Sequence, residues 1–563
     1  METTFPVTSS CSKEVPSRAT IGTSAVSRRT FLRAAGGVLL ARGVVPLLAS
    51  GAAGPLIAGV TPVRSDAATA AAALRIKMGG VLNVAIGTNI SSLEPQVTTE
   101  TSSGGVRTNL YDMLVWQYNR EGSFAPMLAT KWEVSGNGLV YTFTLTDKPV
   151  KFHDGTPFTA DAVKATFDRL LEPSRSGAAK LTLDMISKVE VLNAQSVRFT
   201  LQHAFAPFLH RIADSAAAIM SPDAIKKYGE DYGRHPVGTG PYRFVEYVPG
   251  DHVTMERNPE YWNWGGPAYC DKLVYKIVPE DSSRAALLES GEAQVVDRIA
   301  PADAQRLQSH EKVSIVRTVT SRLVYYVLNQ NRPLMKDVRV RQAVNYAVNR
   351  QAIIKEILKG AGVLADSPLG RGEEFYVAQK PYPYDLAKAK TLLKEAGVSE
   401  GTKLVIWTPV GRYVGDKEIS TAVQDMLRRV GFDASLQAFG DFPAYIKQLD
   451  TLGFDLALWG WTSSNDADSY INQIFATRFS KKFPNWGSYS NPRVDDLLNR
   501  AVVELDNRKR ARLYADAQHL LMTDAAGLFM HYQVNLTGVS RSVAGALPVP
   551  FEILIVRNSG FVA

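Results

Sequence analysis

The chain has 563 residues, of which 45% are hydrophobic, 9% aromatic and 21% charged. These proportions exclude collagen-like, disordered and multispanning membrane proteins and indicate a globular protein of roughly three or four structural units. The formal net charge of +8 is too dilute along the chain to indicate a nucleic-acid partner, because such proteins cluster their basic residues on one face.

The first seventy residues have the features of an export signal. They hold seven basic residues against three acidic ones. Within them Ser27-Arg28-Arg29-Thr30-Phe31-Leu32-Arg33 places a twin arginine before an apolar stretch and resembles the twin-arginine translocation (Tat) consensus. The alternative is a membrane anchor over the uncharged residues 43–60, but glycine and proline dilute that run. The sequence therefore predicts a cleavable leader over residues 1–70, Tat export and a periplasmic protein.

Strands and helices are mixed from residue 80 onwards. Residues 80–86 and 139–146 alternate apolar and polar side chains, which predicts two β-strands. Residues 159–170 have helical spacing behind a threonine cap. Asp337 is predicted to cap one long helix that runs through Lys359. The fold class is therefore α/β, without strict βαβ alternation.

No pattern of catalytic or metal-binding residues occurs in the sequence. Phosphate-loop, dinucleotide and nucleophile-elbow motifs are missing, and no two of the eight histidines are three to five residues apart. No catalytic residue, metal or cofactor is predicted. His153 is interpreted as a hydrogen-bonding residue of a turn, Cys270 as a packing residue, and Arg339 and Arg341 as residues of a solvated helix face.

Aromatic residues lie in several polar loops, and this composition is typical of ligand pockets. Trp461 is followed by four polar residues, Thr462-Ser463-Ser464-Asn465, and is interpreted as a pocket residue. Trp262, Trp264 and Trp486 are interpreted as core residues, because large aromatic side chains are usually buried.

Several blocks together resemble the solute-binding proteins of the dipeptide, oligopeptide and nickel importers, known as family 5. They include Val150-Lys151-Phe152-His153-Asp154-Gly155-Thr156-Pro157-Phe158 and Glu256-Arg257-Asn258-Pro259-Glu260-Tyr261-Trp262. The other blocks are residues 124–134, 141–145, 237–242, 337–343 and 384–389.

The resemblance implies a two-lobed periplasmic-binding-protein fold, hinged and similar to type II, with an inserted subdomain. The solute-binding domain would span residues 77–540, with the C-terminal segment completing the first lobe. The expected segments are 77–115, 237–325 and 530–563 for lobe one, 116–236 for the inserted subdomain and 326–529 for lobe two.

The resemblance also implies a function. The protein would be the periplasmic solute-binding component of an ABC importer, closing around its ligand and delivering it to a permease. It would be a monomer and not an enzyme. The alternatives are a periplasmic hydrolase and a ligand-binding partner of a chemoreceptor.

The predicted ligand site is built around Trp461. Polar contacts are expected from the neighbouring loop, and two further residues are placed on the opposite or hinge side from their position in the family order. The full set is Trp461, Thr462, Ser463, Ser464, Asp466, Glu100 and His531.

Ser464 departs from the pattern of the peptide-binding members. They carry an aspartate at this position, and that aspartate pairs with the ammonium group of the peptide. Asp466 or Asp468 replaces its charge if the loop is registered differently. The predicted ligand is therefore left open among an oligopeptide, an opine and a saccharide-like solute.

Overall fold

The structure is a computed structural model that describes residues 75–117, 124–174, 177–462 and 466–563. The predicted leader, with Arg28 and Arg29, lies outside the described residues, as do Ser463 and Ser464. Across the described ranges, no helix combines the length and the apolar character that crossing a membrane requires.

The strands are β1 Val81–Ile86, β2 Val115–Gln117, β3 Phe124–Pro126, β4 Ala129–Val134, β5 Val140–Leu145, β6 Ile186–Asn193, β7 Ser196–Leu201, β8 Tyr242–Val248, β9 His252–Arg257, β10 Lys272–Ile277, β11 Val295–Val296, β12 Val313–Leu328, β13 Gly362–Leu364, β14 Thr402–Pro409, β15 Phe432–Phe439, β16 Leu456–Trp461, β17 Gly527–Ser540, β18 Val543–Ala544, β19 Leu547–Pro548, β20 Leu554–Ile555 and β21 Gly560–Phe561. The α-helices are Thr101–Leu110, Ala160–Leu171, Ala178–Leu183, Phe208–Ile212, Pro222–Tyr228, Asp281–Ser290, Pro301–Leu307, Pro333–Lys336, Val338–Ala347, Arg350–Glu356, Leu386–Glu395, Asp416–Arg428, Phe442–Leu449, Gln473–Phe475, Pro492–Val503 and Asn507–Thr523.

Two long antiparallel strands, β12 and β17, form the centre of the large sheet. The strand order is β15-β14-β16-β12-β17-β11-β1-β10-β9-β8, with β13 paired to β17. The pairing of β12 with β17 is interrupted by a register shift between Val319 and Leu323. On one side of this shift β17 continues into β11 and β1, and on the other β12 continues into β16 and β14. The shift therefore separates two halves of one sheet.

Each half of the sheet has its own hydrophobic core, so the protein has two lobes. We call the part around β1 and β8–β11 lobe one, and the part around β14–β16 lobe two. The core of lobe one includes Leu82 and Val84, and that of lobe two includes Leu404 and Ile406. The α/β, two-lobed fold class predicted from the sequence is confirmed.

A second, four-stranded antiparallel sheet lies outside these lobes, in the order β4-β5-β7-β6. Its apolar face and the helix Ala160–Leu171 share a core that contains Phe143, Phe167 and Phe199. We call this sheet and its helices, through Phe208–Ile212, the inserted unit. Thr159 stands at the N-cap of Ala160–Leu171 as predicted, but its side chain makes no capping hydrogen bond.

The long helix predicted from Asp337 to Lys359 is wrong. Asp337 does cap a helix, but that helix ends at Ala347, because Val348 adopts an extended backbone. Asn349 then caps a second helix by accepting a hydrogen bond from the N–H of Ala352. The asparagine therefore acts as a start signal inside what the apolar spacing alone predicted to be continuous.

Arg341 is also not on a solvated face. It is 5% exposed, and its guanidinium donates hydrogen bonds to the carbonyls of Met335, Lys336, Asp524 and Ala525. Carbonyl groups at the C-terminal ends of two helices, Pro333–Lys336 and Asn507–Thr523, thus stabilise this buried charge.

The predictions for buried aromatic residues hold in part, and that for the turn residue holds. Trp486 is completely buried, whereas Trp262 and Trp264 are partly buried and pack against the core of lobe one. The Nε1 of Trp262 donates to Asp112 at 2.8 Å. His153 Nε2 lies 3.0 Å from the carbonyl oxygen of Gly240, and burial lowers the pKa of His153 to about 4. Burial raises the pKa of the Cys270 thiol to about 11, consistent with a packing role.

Candidate ligand-binding site

Trp461 ends β16 where that strand meets β12. Its backbone pairs with Leu323, and its indole Nε1 donates a hydrogen bond to the carbonyl of Ser469 at 3.0 Å. The ring centroid lies 5.8 Å from that of Phe483, which is 52% exposed. Trp461 itself is half-buried. Its ring is therefore fixed in orientation and retains surface for a solute.

Thr462 follows on the same edge. Its Oγ1 lies 2.8 Å from the Oγ of Ser321 in β12, a distance at which either hydroxyl can donate. This contact fixes the start of the polar loop against the strand that crosses between the lobes. The next two predicted residues, Ser463 and Ser464, lie outside the described residues.

Asp466 is completely buried and already paired. Both of its carboxylate oxygens accept hydrogen bonds from Nη2 of Arg510, at 3.0 and 2.9 Å, and Oδ1 also accepts from the N–H of Asp468 at 2.7 Å. Burial opposes its ionisation, but the charges of Arg510 and Arg211, the nearby His210 and the hydrogen bond from Asp468 together lower the pKa of Asp466. In this conformation Asp466 is an internal counter-ion, and its contact with a solute stays a prediction.

Glu100 is also engaged within the protein, and His531 is buried. Glu100 caps the helix Thr101–Leu110, since its two carboxylate oxygens accept from the N–H groups of Ser102 and Ser103 at 2.6 and 2.8 Å. His531 is 2% exposed in β17, and burial lowers its pKa to about 4, so its ring is neutral near pH 7. A ligand contact by either residue stays a prediction.

A buried ion pair that the sequence did not reveal lies at the register shift in β12. Arg322 donates from Nε to Oε1 of Glu552 at 2.9 Å and from Nη2 to Oε2. Gln533 donates to the same Oε1 at 2.9 Å. Arg322 also donates from Nη1 to the carbonyl of Gly460, just before Trp461, at 3.2 Å. The pair thus joins β12, β16, β17 and the C-terminal segment.

Two further arginines, one from each lobe, approach this pair. Arg298 follows β11 of lobe one, and its Nε donates to Oδ2 of Asp297 at 3.0 Å. Arg412 follows β14 of lobe two, and its guanidinium lies over the rings of Tyr413 and Phe442, 5.3 and 5.1 Å from their centroids. Among the residues that the structure describes, none accepts a hydrogen bond from the Arg412 guanidinium. We call Arg298, Arg322, Arg412, Asp297 and Glu552 the hinge arginine cluster.

The charges of the hinge arginine cluster influence one another. Burial opposes the ionised form of Glu552, yet Arg322, Arg298 and Arg412 together lower its pKa to about 2. Burial and then the charge of Arg322 lower the pKa of Arg412. Three guanidinium groups face two carboxylates, which leaves a net charge of +1. An anionic group of a solute would balance this charge, and Arg412 has free donors to bind it.

Sequence reasoning missed this cluster, although a signal was present. Arg322 directly precedes the mostly apolar run Leu323–Leu328 in the same strand. Glu552 lies within the mostly apolar residues 547–556. A charge inside a buried strand requires a partner. The partner is 230 residues away, so no local pattern could identify it.

The chain is similar to known solute-binding proteins over most of its length. The model of the family described as bacterial extracellular solute-binding proteins, family 5 Middle, matches residues 123–482. The glutathione-binding protein GsiB of Pectobacterium atrosepticum is 33% identical over 476 residues, which cover 83% of this chain and 91% of that protein.

Two solved structures are similar over most of their length. The ABC transporter-associated periplasmic binding protein DppA from Helicobacter pylori, in complex with the peptide STSA, has a TM-score of 0.76 and 27% identity and covers 86% of this chain and 99% of that one. A dipeptide-binding protein from Pseudoalteromonas in complex with Met-Leu has the same TM-score and identity and covers 86% of this chain and all of that one.

The pairing of Glu552 predicts an acid-sensitive lobe junction. Its lowered pKa makes the ionised form contribute stability above the pKa of an unfolded glutamate, about 4.3, and that contribution is lost as the pH falls towards about 2. Glu552→Gln should therefore lose about 3 kcal/mol of unfolding free energy at pH 7, the scale of a broken buried ion pair, and less at pH 2.5. Urea denaturation at several pH values measures both effects.

Glu356→Gln is the matched control, because Glu356 pairs with Lys355 on an exposed surface. It should leave the unfolding free energy nearly unchanged at both pH values. An equal loss for Glu552→Gln at pH 7 and pH 2.5 would show that the Glu552 charge does not stabilise the junction.

Proposed function

The chain belongs to the bacterial extracellular solute-binding proteins of family 5, and we propose that its solute is a small peptide that carries more carboxylates than amines. It is the substrate-binding component of an ABC importer. The family consists of binding proteins, and we expect the solute to be released chemically unchanged.

The net charge of the hinge arginine cluster is the observation that carries the proposal. An uncompensated guanidinium in a partly buried position favours a carboxylate of the solute, and Arg412 can donate two parallel hydrogen bonds to it. The rings of Tyr413 and Phe442 hold the Arg412 side chain before the solute arrives. This pre-organisation lowers the entropy lost on binding.

The amine end of the solute is the second constraint. A buried ammonium group needs a carboxylate partner. Asp466 is occupied by Arg510, and the family resemblance implies that Ser464 stands where peptide-binding members carry an aspartate. The pairing of Asp466 and this expectation favour a solute whose amine is less central to recognition than its carboxylates. Trp461 and Thr462 would contact its uncharged part, with Ser463, Ser464, Glu100 and His531 as further predicted contacts.

Glutathione has this chemistry, since it is a tripeptide with two carboxylates and one amine. The curated relative that is 33% identical is named as glutathione-binding. Two neighbouring structures hold a tetrapeptide and a dipeptide. We therefore propose glutathione or a similar dicarboxylate peptide as the solute to test first.

Binding is proposed to occur by hinge closure. The expected lobe boundaries place β12 and β17 as the two crossing strands, and the register shift between Val319 and Leu323 provides the flexible point. Residues 77–115, 237–325 and 530–563 would move against residues 326–529. The closed form of a monomer would then deliver the solute to the membrane permease.

Arg412 provides the first test. Arg412→Gln should weaken the binding of reduced glutathione about 10- to 100-fold, the scale of a lost hydrogen bond to a charged group. Isothermal titration calorimetry on the purified protein measures this affinity. The matched control is Arg429→Gln, which removes an exposed arginine of the same lobe and should leave the affinity unchanged.

The comparison of two peptides separates charge recognition from general peptide binding. Glutathione should bind more tightly than the amide of glutathione at its glycine end, and Arg412→Gln should reduce that difference. Equal affinities for the two compounds in the wild type would contradict the proposal.

Tat export is proposed from the motif that contains Arg28 and Arg29. Replacing both arginines with lysine keeps the charge but removes the guanidinium pair. The variant should therefore accumulate in the cytoplasm while its fold is unchanged. Cell fractionation and immunoblotting measure the distribution, and mature variant protein in the periplasm at the wild-type level would contradict Tat export.

A further inference from the structure

The inserted unit contacts lobe two through charged side chains that are almost fully buried. Arg211 donates from Nη2 to Oδ2 of Asp468 at 3.2 Å. Its neighbour His210 lies with Nε2 3.1 Å from Oε2 of Glu374 and with Nδ1 3.6 Å from Oδ2 of Asp466. The exposed fractions of these side chains lie between 0 and 14%.

A backbone hydrogen bond also joins the two surfaces. The N–H of Ala206 in the inserted unit donates to the carbonyl of Val502 in lobe two at 2.8 Å. On the side of the inserted unit, the ring of Phe124, which packs against that unit's core, covers the His210 ring edge-on, with centroids 4.8 Å apart. Water is therefore largely excluded from the charged groups in this conformation.

The charges at this contact balance only if His210 carries a proton. Three carboxylates, those of Glu374, Asp466 and Asp468, face two guanidinium groups, those of Arg211 and Arg510. With a neutral His210 the group has a net charge of −1, and with a protonated His210 it is neutral. We call these six residues the jaw cluster.

The neighbouring charged groups add to the negative side of this balance. Glu373 acts on Tyr470, and Asp184, which is exposed, acts on Arg211. Both are carboxylates, so they would increase the need for a proton. A divalent cation is a poorer way to supply the charge, because Arg510 already occupies both oxygens of Asp466.

We propose that the jaw cluster is a proton-dependent latch, in which protonation of His210 holds the inserted unit against lobe two. Opening the protein exposes the jaw cluster to water, which stabilises unbalanced charges. Closing it with a neutral His210 buries a net negative charge, which is unfavourable. Closure therefore takes up one proton and is favoured by lower pH. The proposal rests on hinge closure but not on the identity of the solute.

Linkage sets the size of the effect. Histidine is the side chain that ordinarily changes charge between pH 5 and 8. If one proton is bound on closure, the ratio of closed to open protein changes by up to tenfold per pH unit over the range in which the closed form holds this proton and the open form does not.

The latch can be tested on the mature chain without any solute. Spin labels at Lys188→Cys in the inserted unit and Asp496→Cys in lobe two report the distance between the surfaces by double electron–electron resonance. Both native side chains are exposed, Cys270 is completely buried, and Cys11 lies in the predicted leader that the mature chain lacks, so labelling is selective. The short-distance population should be several-fold larger at pH 6 than at pH 8.

Three variants assign the effect to the jaw cluster. His210→Gln should remove the pH dependence and reduce the closed population at pH 6. Glu374→Gln removes one carboxylate, so the closed form no longer needs the proton. The short-distance population of this variant at pH 8 should therefore be larger than that of the wild type. His519→Gln, an exposed histidine of lobe two, should behave like the wild type.

Two results would overturn the proposal. One is a wild-type distance distribution that is the same at pH 6 and pH 8. The other is a pH dependence that survives in His210→Gln. Because the readout uses no solute, a failure to bind glutathione would contradict the proposed solute and leave this test unaffected.

Discussion

The buried ion pair of Arg322 and Glu552 is the constraint on which the arrangement of the two lobes depends. Burying both charges is costly, and their bidentate contact compensates for it together with the hydrogen bonds from Gln533 and to Gly460. The pair forms where the register of β12 and β17 shifts, since Arg322 lies between Val319 and Leu323, outside the paired residues. Its position brings Arg298 of lobe one and Arg412 of lobe two towards the same carboxylate. A structural ion pair thereby becomes the centre of the cationic site whose surplus charge we propose to select the solute.

The hinge arginine cluster and the jaw cluster are connected by one short segment of lobe two. At its start, Gly460 and Thr462 contact Arg322 and Ser321 of the crossing strand. At its end, Asp466 and Asp468 face the inserted unit. A solute that contacts Trp461 and Thr462 on the hinge side would therefore act on the same stretch of chain that carries Asp466 and Asp468 of the jaw cluster. Solute binding at the hinge arginine cluster and proton uptake at the jaw cluster would then both favour closure.

Much of the fold was predictable from the sequence, because its signals are local. The alternation in Val81–Ile86 and Val140–Leu145 and the cap at Asp337 each depend on a few neighbouring residues. The family resemblance then supplied the topology, which local patterns do not contain. The site was less predictable. The polar loop after Trp461 was found from its composition, but the partner of Asp466 is Arg510 on a later helix, and that of Arg322 is 230 residues away. Long-range charge pairing of this kind gives only a weak signal in the sequence, namely a charged residue next to or within an apolar segment.

The central claim is that the charge balance at the hinge selects a peptide rich in carboxylates. Native mass spectrometry of the protein purified from the periplasm, followed by identification of the small molecule it releases, tests this claim most directly. The account predicts one bound peptide per chain with more carboxylates than amines, as in glutathione. A bound solute that is neutral or cationic would contradict it, because such a molecule would leave the surplus charge of Arg412 without a counter-ion.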